Sequence, residues 1–415
     1  MYHETTINNE YCGNAVSHFN TEAVCMVVVG IDVAKDKHDC IILSESKDVL
    51  VQPFTIRNNR EGFEQLHKAI LSVEDDLSKV KVGLEACGHY VFNIVDWLES
   101  IGAKMIVFNP LLTCKFRELS LRKTKTDKID ARTIAEIILS GIDLKSYLDV
   151  SYHNKELKAL VRYRFKTVNR RAELKTSVSR LVTILFPELF KLVSDIHAEY
   201  VYKLLSAYPG ASYIANAMLP TLANLLFTAS RGRYGKDKAV ALQQAAKSSV
   251  GSQIAVASFE LQHTIGFIEA LDKELSEIDA KLNSMLDKSQ YPVLSIKGIG
   301  PVMGSMIIAE VGDFSRFSSP DKLLAYAGMY PSLYQSGQKS VNGRMSKRGS
   351  CFLRYALFNA AKFVSMYDTE FRTYFKKKLA EGKHYYVALS HVAKKLVRVI
   401  FALQKSGQTY VPRVA

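Results

Sequence analysis

The chain has 415 residues, 48% of them hydrophobic, and carries 55 Lys and Arg against 41 Asp and Glu, a net charge of +14. That length and apolar content support two or three domains with real cores, which excludes a disordered chain. No apolar stretch is long enough to span a bilayer, so no membrane role is expected, and the positive balance points to a polyanionic partner.

Residues 1–25 lack the basic start and apolar centre of a signal peptide and read as a loose N-terminal extension. The six cysteines form no CxxC pair and have no histidines at ligand spacing, which argues against a zinc site and a disulfide framework and fits a reducing cytosol.

Over residues 26–150 strand and helix signals alternate. Strands are expected near 26–32, 38–43 and 49–56, then a helix near 60–77 and a strand in KVKVGLEAC. A helix near 89–100, a strand in AKMIVFNP and a helix opened by KTDKIDA follow. This alternation predicts an α/β layer with a mixed sheet. Asp32 and Glu85 each close an apolar run. On neighbouring strands, about 4.8 Å apart, two such carboxylates can share one hard cation. Asp127 and Asp130, three residues apart, lie on one helix face. Each acid also has a plainer reading: Asp127 caps its helix or complements its dipole, Asp32 is a turn residue, and Glu85 is the first exposed position. Their joint order matches the ligands of an RNase H-like, RuvC-type magnesium site. His38 and His89 read as surface or packing residues, because magnesium favours oxygen.

Residues 151–290 show only helical patterns. An apolar stripe (Leu157, Val161, Phe165, Val168, Val178, Leu181, Leu185) shares its helix with Arg162, Arg164, Lys166, Arg170 and Arg171, cations suited either to a phosphate backbone or to a solvated face. Ile268, Leu271, Leu275, Ile278, Leu282 and Met285 form a heptad seam of coiled-coil type, which closes an intramolecular hairpin or joins two chains. Between these stretches SRGRYGKDKA reads as an exposed basic loop.

The last domain, 291–405, reads as mainly helical. Gly298 and Gly300 in GIGP look like the turn of a helix-hairpin-helix, whose N–H groups approach a phosphate, or they simply cap a helix. A helix follows, then an aromatic, glycine-bearing loop through Ser336, then an apolar helix from Cys351. From Ser336 to Arg354 there is no acid beside Lys339, Arg344, Lys347 and Arg348.

The segments GIDVAK, LEACGHY, KTDKIDA, GIGP, AYAGMYP, QSG and SKRGSCFLRYALF resemble the DEDD insertion-sequence transposases related to the Piv DNA invertases, a group that includes bridge-RNA-guided recombinases. The resemblance runs from about Met26 to about residue 400. It implies a RuvC-like domain, a coiled-coil insertion and a C-terminal transposase domain. Residue by residue, Asp32, Glu85, Asp127 and Asp130 match the four acids that hold Mg2+, and Ser336 matches the nucleophile. Ser340, Ser346 and Ser350 lie nearby, and only the resemblance selects among them. Cys87 stands where the family commonly has Thr and reads as buried near the site. The implied activity is a DNA transposase or recombinase that cuts and rejoins donor and target DNA through a phosphoserine. A bridge RNA would guide it, and the chain would work as a dimer or tetramer. A RuvC-like nuclease or junction resolvase using water, and a non-catalytic nucleic-acid-binding regulator, are the alternatives.

Overall fold

A computed structural model describes residues 26–86, 88–108, 110–118, 127–141, 152–286, 291–336 and 339–412. The expectations placed on residues 1–25, on Cys87 and on Gly337 lie outside the described residues. The chain divides into two compact units, 1–149 and 150–415.

In the first unit, β-branched runs form β1 (Val27–Val33), β2 (Lys37–Leu43) and β3 (Val49–Arg57), followed by α1 (Arg60–Leu71) and β4 (Val80–Glu85). Then come α2 (Val91–Ser100), β5 (Lys104–Phe108), α3 (Pro110–Glu118) and α4 (Asp127–Leu139). Helix α1 ends six residues short of the expected 77, and a 3₁₀ turn at Leu77–Lys79, capped by Asp76, leads into β4. The sheet order is β3-β2-β1-β4-β5. Strands β1 to β3 form an antiparallel meander, and β4 and β5 run parallel beside β1. The strands of Asp32 and Glu85 are therefore neighbours.

Helix α4 lies on one face of β1, β2 and β4, burying Ile134, Ile137 and Ile138 against Val28, Ile41 and Leu43. Two glycines admit it. A Cβ on Gly30 would stand 2.1 Å from the Ala131 carbonyl oxygen, and one on Gly83 would stand 2.8 Å from Ile138 Cδ1. Strand residues two apart face the same way, so Asp32 and Glu85 share this face with Gly30 and Gly83.

The second unit opens with α5 (Tyr152–Leu185), continues through five shorter helices, α6 (Leu189–Leu192), α7 (Glu199–Ala207), α8 (Ala211–Ala215), α9 (Leu219–Ala229) and α10 (Lys236–Lys247), and returns along α11 (Ala255–Met285). Helices α5 and α11 pair antiparallel, as their ion pairs require: Arg164 with Asp279, Arg171 with Asp272, Arg180 with Glu260. The heptad seam thus closes within the chain, with Ile268, Leu275, Ile278 and Leu282 buried. One end of the pair carries the core of the short helices. At the other end Leu157, Val161, Ile278 and Leu282 enter the core of the C-terminal helices, so 151–290 and 291–405 share a core at their junction. The expected basic loop is short, since Lys236 already opens α10 and Lys238 bonds the Leu192 carbonyl.

A 3₁₀ turn (Pro292–Ser295) precedes the two glycines, and α12 (Pro301–Val311) and α13 (Pro320–Tyr326) follow. The stretch expected as a loop is a β-hairpin, β6 (Pro331–Ser336) and β7 (Lys339–Met345), before α14 (Cys351–Tyr367), α15 (Thr369–Ala380) and α16 (Tyr385–Ser406). Among the described residues no helix is long and apolar enough to cross a membrane.

Candidate active site

The acids of the first unit lie along one transverse row of the sheet. The parallel register of β1 and β4 ends at the pair Ile31 and Leu84, which makes Asp32 and Glu85 the next residues on adjacent strands. Both are half-buried. Thr113 on α3, 1% exposed, donates its hydroxyl to Glu85 Oε2 at 2.7 Å and so fixes the carboxylate from behind. On the opposite side Asp39 of β2 stands directly across from Asp32. It is held by the Thr55 hydroxyl and lies 3.8 Å from Lys37 Nζ.

Asp127 opens α4, and Asp130, 7% exposed, sits one turn later. Asp130 immediately precedes Ala131, whose carbonyl rests on Gly30, two residues before Asp32 on the strand. The fold therefore brings the first turn of α4 onto the face and strand that carry Asp32. Among the described residues no cluster of three or more Asp, Glu, His or Cys side chains forms a metal centre by itself. The donors that the row supplies are carboxylate oxygens, the chemistry that suits a hard divalent cation rather than zinc.

Neither histidine reads as a ligand. His38 is fully buried, accepts from the Ala34 N–H through Nδ1 and stacks on Phe63, and burial lowers its pKa below the ordinary value. His89 is exposed beside Tyr90. Thr113 and Asp39 were not singled out from the sequence. The alternation in KHDCIIL after the tight DVAKDK turn could have flagged Asp39. Thr113 had no such signal, because α3 was not expected.

In the second unit Ser336 ends β6 and faces Lys339 across the hairpin, so it occupies the tip. Two of the neighbouring serines are engaged in structure. Ser350 caps α14, accepting from the Leu353 N–H at 3.1 Å, and donates to Glu310 Oε2 at 2.8 Å. Ser346 accepts from the Arg348 N–H. Lys347 and Arg348 are exposed, and Lys347 adopts a left-handed φ of 55°, an uncommon conformation for a side-chain-bearing residue. Arg354 Nη1 pins this turn by donating to the carbonyls of Ala327 (2.9 Å) and Lys347 (3.2 Å).

The cations expected to grip a phosphate backbone divide into two groups. Arg162 makes a bidentate pair with Glu310, which is 0% exposed, and lies over the Phe352 ring. Arg164 and Arg171 pair with acids of α11. Those three are spent inside the molecule, whereas Lys166 and Arg170 are exposed on α5. The glycines also differ. Gly298, at φ 101°, packs against the α14 backbone, with an added Cβ 2.8 Å from Phe363 C, while Gly300 stands open at the start of α12.

Two family models match the chain. One, described as a transposase and labelled DEDD and IS110, covers residues 29–187; the other, described as the transposase IS116/IS110/IS902 family, covers 291–376. A 42 kDa uncharacterized protein of insertion element IS900 from Mycobacterium paratuberculosis is 24% identical over 93% of this chain and 97% of its own length. A 43.6 kDa protein of insertion element IS110 from Streptomyces coelicolor is 26% identical over 95% of this chain and 98% of its own. The pilin gene-inverting protein of Moraxella bovis is 22% identical over 93% and 98%.

Proposed function

We propose, from the premise that this chain is a DEDD transposase of the IS110/IS116 family, that it breaks and rejoins the DNA of an insertion element with Asp32, Glu85, Asp127 and Asp130 as one functional group and Ser336 as the nucleophile. The observation that carries the first half is the row itself, Asp32 and Glu85 on adjacent parallel strands with the first turn of α4 on their face. The sheet order supports an RNase H-like, RuvC-type assignment for this unit. The four acids would hold Mg2+, which when bound polarises a phosphate and stabilises a leaving oxygen.

The residues of the chain account for the rest. Thr113 orients Glu85, and the row keeps the Asp32 and Glu85 carboxylates half-buried at neighbouring strand positions. Ser336 at the hairpin tip would attack phosphorus, releasing a DNA hydroxyl and storing the broken bond as a phosphoserine; the corresponding hydroxyl of the incoming strand then attacks that phosphorus and releases the serine hydroxyl, so rejoining needs no added energy. A serine hydroxyl is a weak nucleophile at its free pKa, so Lys339, its partner in the hairpin register, is assigned to neutralising the attacked phosphate, while Arg344, Lys347 and Arg348, at the base of the hairpin and its turn, are assigned to phosphates further along the DNA. The engagement of Ser350 and Ser346 elsewhere favours Ser336 over them. The inverting activity in the name of the Moraxella bovis relative favours exchange of strands over simple cutting.

Contact with nucleic acid beyond the site is assigned to Lys166 and Arg170 on the helical pair and to the open Gly300 turn, where a backbone N–H can meet a phosphate. A guide RNA and assembly as a dimer or tetramer complete this reading. Its test is cleavage of a cognate element end in magnesium. Asp32→Asn, Glu85→Gln and Asp130→Asn are each expected to lower the rate by at least about a hundredfold with DNA affinity retained, the scale of losing one preorganised electrostatic group. Full activity in any two of them would defeat the carboxylate assignment.

A further inference from the structure

Between the base of the β6–β7 hairpin, α14 and the first half of α16 runs a groove of about 1140 Å³. That is more than the roughly 300–1,000 Å³ of a small-molecule pocket. Pro331 and Met345 form its hairpin wall, and Tyr355 and Phe358 of α14 its floor. Three lysines, Lys347, Lys383 and Lys394, line it together with Arg354, which is held by the Ala327 and Lys347 carbonyls; no carboxylate is among the lining residues, and none of the three lysines makes an ion pair among the described residues. The neighbouring acids are already matched elsewhere, Glu381 with Lys378 and Glu370 with Lys395.

At the rim Tyr386 is 67% exposed. It is braced edge-on by Tyr385 at 5.3 Å and lies beside the His384 ring at 5.9 Å. An exposed aromatic in a groove shared with lysines that make no ion pair is the arrangement by which proteins bind unpaired strands: bases stack on the ring and phosphates follow the cations. A duplex, with its bases already stacked, offers the ring nothing.

We propose that this groove holds a single-stranded segment of DNA leading away from the cut phosphate, with one base stacked on Tyr386 and phosphates on Lys347, Lys383 and Lys394. The choice of DNA rests on the reading of Ser336 as the nucleophile. Ser336 is five strand residues from Pro331 at the groove wall, about 17 Å at ~3.3 Å per residue, so a strand tethered at the tip passes along the hairpin toward the groove.

The test is fluorescence anisotropy on the full-length Asp32→Asn chain, with a labelled single-stranded DNA oligonucleotide, an RNA of the same sequence and the DNA duplex. Tyr386→Ala is expected to weaken single-stranded DNA binding about 5- to 150-fold, with Tyr386→Phe near the parent, as loss of one stacked base requires. Lys383→Gln with Lys394→Gln should reduce the slope of log affinity on log salt by about 1.4. Because Tyr386 is exposed, unchanged melting checks that the fold is intact. Unaltered DNA binding in Tyr386→Ala, or a loss confined to RNA or duplex, overturns the proposal. Binding here requires no chemistry, so a failure of Ser336 to form an adduct is seen separately from a failure of the groove.

Discussion

Gly30 lies where a side chain would meet the Ala131 carbonyl oxygen at 2.1 Å, a backbone atom that cannot swing aside. Gly30→Ala is therefore expected to destabilise the first unit by about 1–3 kcal/mol or more, the cost of overpacking, and to push the first turn of α4 away from Asp32. Gly266, in the exposed interior of α11 with nothing within 4 Å, predicts the opposite: Gly266→Ala should add about 0.5–1 kcal/mol. Chemical denaturation of both variants checks the contrast. His38 gives a pH signature. Burial holds its pKa below the ordinary 6.5, and the neutral ring accepts from the Ala34 N–H. The unfolded chain binds this proton more readily, so stability present above pH ~6.5 falls as the pH drops from there toward the folded pKa. Urea titrations at pH 7.5 and 5.5 should show the loss, and His38→Gln should flatten it.

At the level of elements, Glu310 joins three helices: it is buried in α12, takes both guanidinium donors of Arg162 on α5, and accepts from Ser350 at the cap of α14. Arg162→Met leaves a buried carboxylate with one hydroxyl partner, and a loss of about 3–5 kcal/mol is expected. The more exposed pair of Arg180 and Glu260 should be worth no more than about 1 kcal/mol when Arg180→Ala is made. Thermal melting of the two variants separates these outcomes. Helix α4 and strands β1 to β5 were legible within a residue or two, because each is an apolar run of the right period closed by a polar residue. The hairpin was not, since PSLYQSGQKSVNGRM mixes the small and polar residues of a loop with strand alternation. Nor were the fates of Arg162 and Arg164 visible in a local pattern, for their partners lie 148 and 115 residues away.

At the scale of the molecule, one unit carries the acids and the other carries the serine, and the chemistry assigned here needs both at one phosphate. The positions of the acids were readable because strand ends and a DxxD on a helix follow from periodicity. Thr113 and Asp39 emerged only once the sheet was assembled, since their roles depend on neighbours across strands. The charge of +14 predicts that DNA binding falls steeply with salt, although several of its arginines are consumed in ion pairs. The direct measurement is to trap the reaction of the full chain with a cognate element end in magnesium, digest the DNA, and map the remaining nucleotide by peptide mass spectrometry. A phosphoryl-linked nucleotide on Ser336, absent in Ser336→Ala and in Asp32→Asn, is the predicted result. Free cleaved ends without any adduct, or an adduct mapped to a different residue, would contradict it.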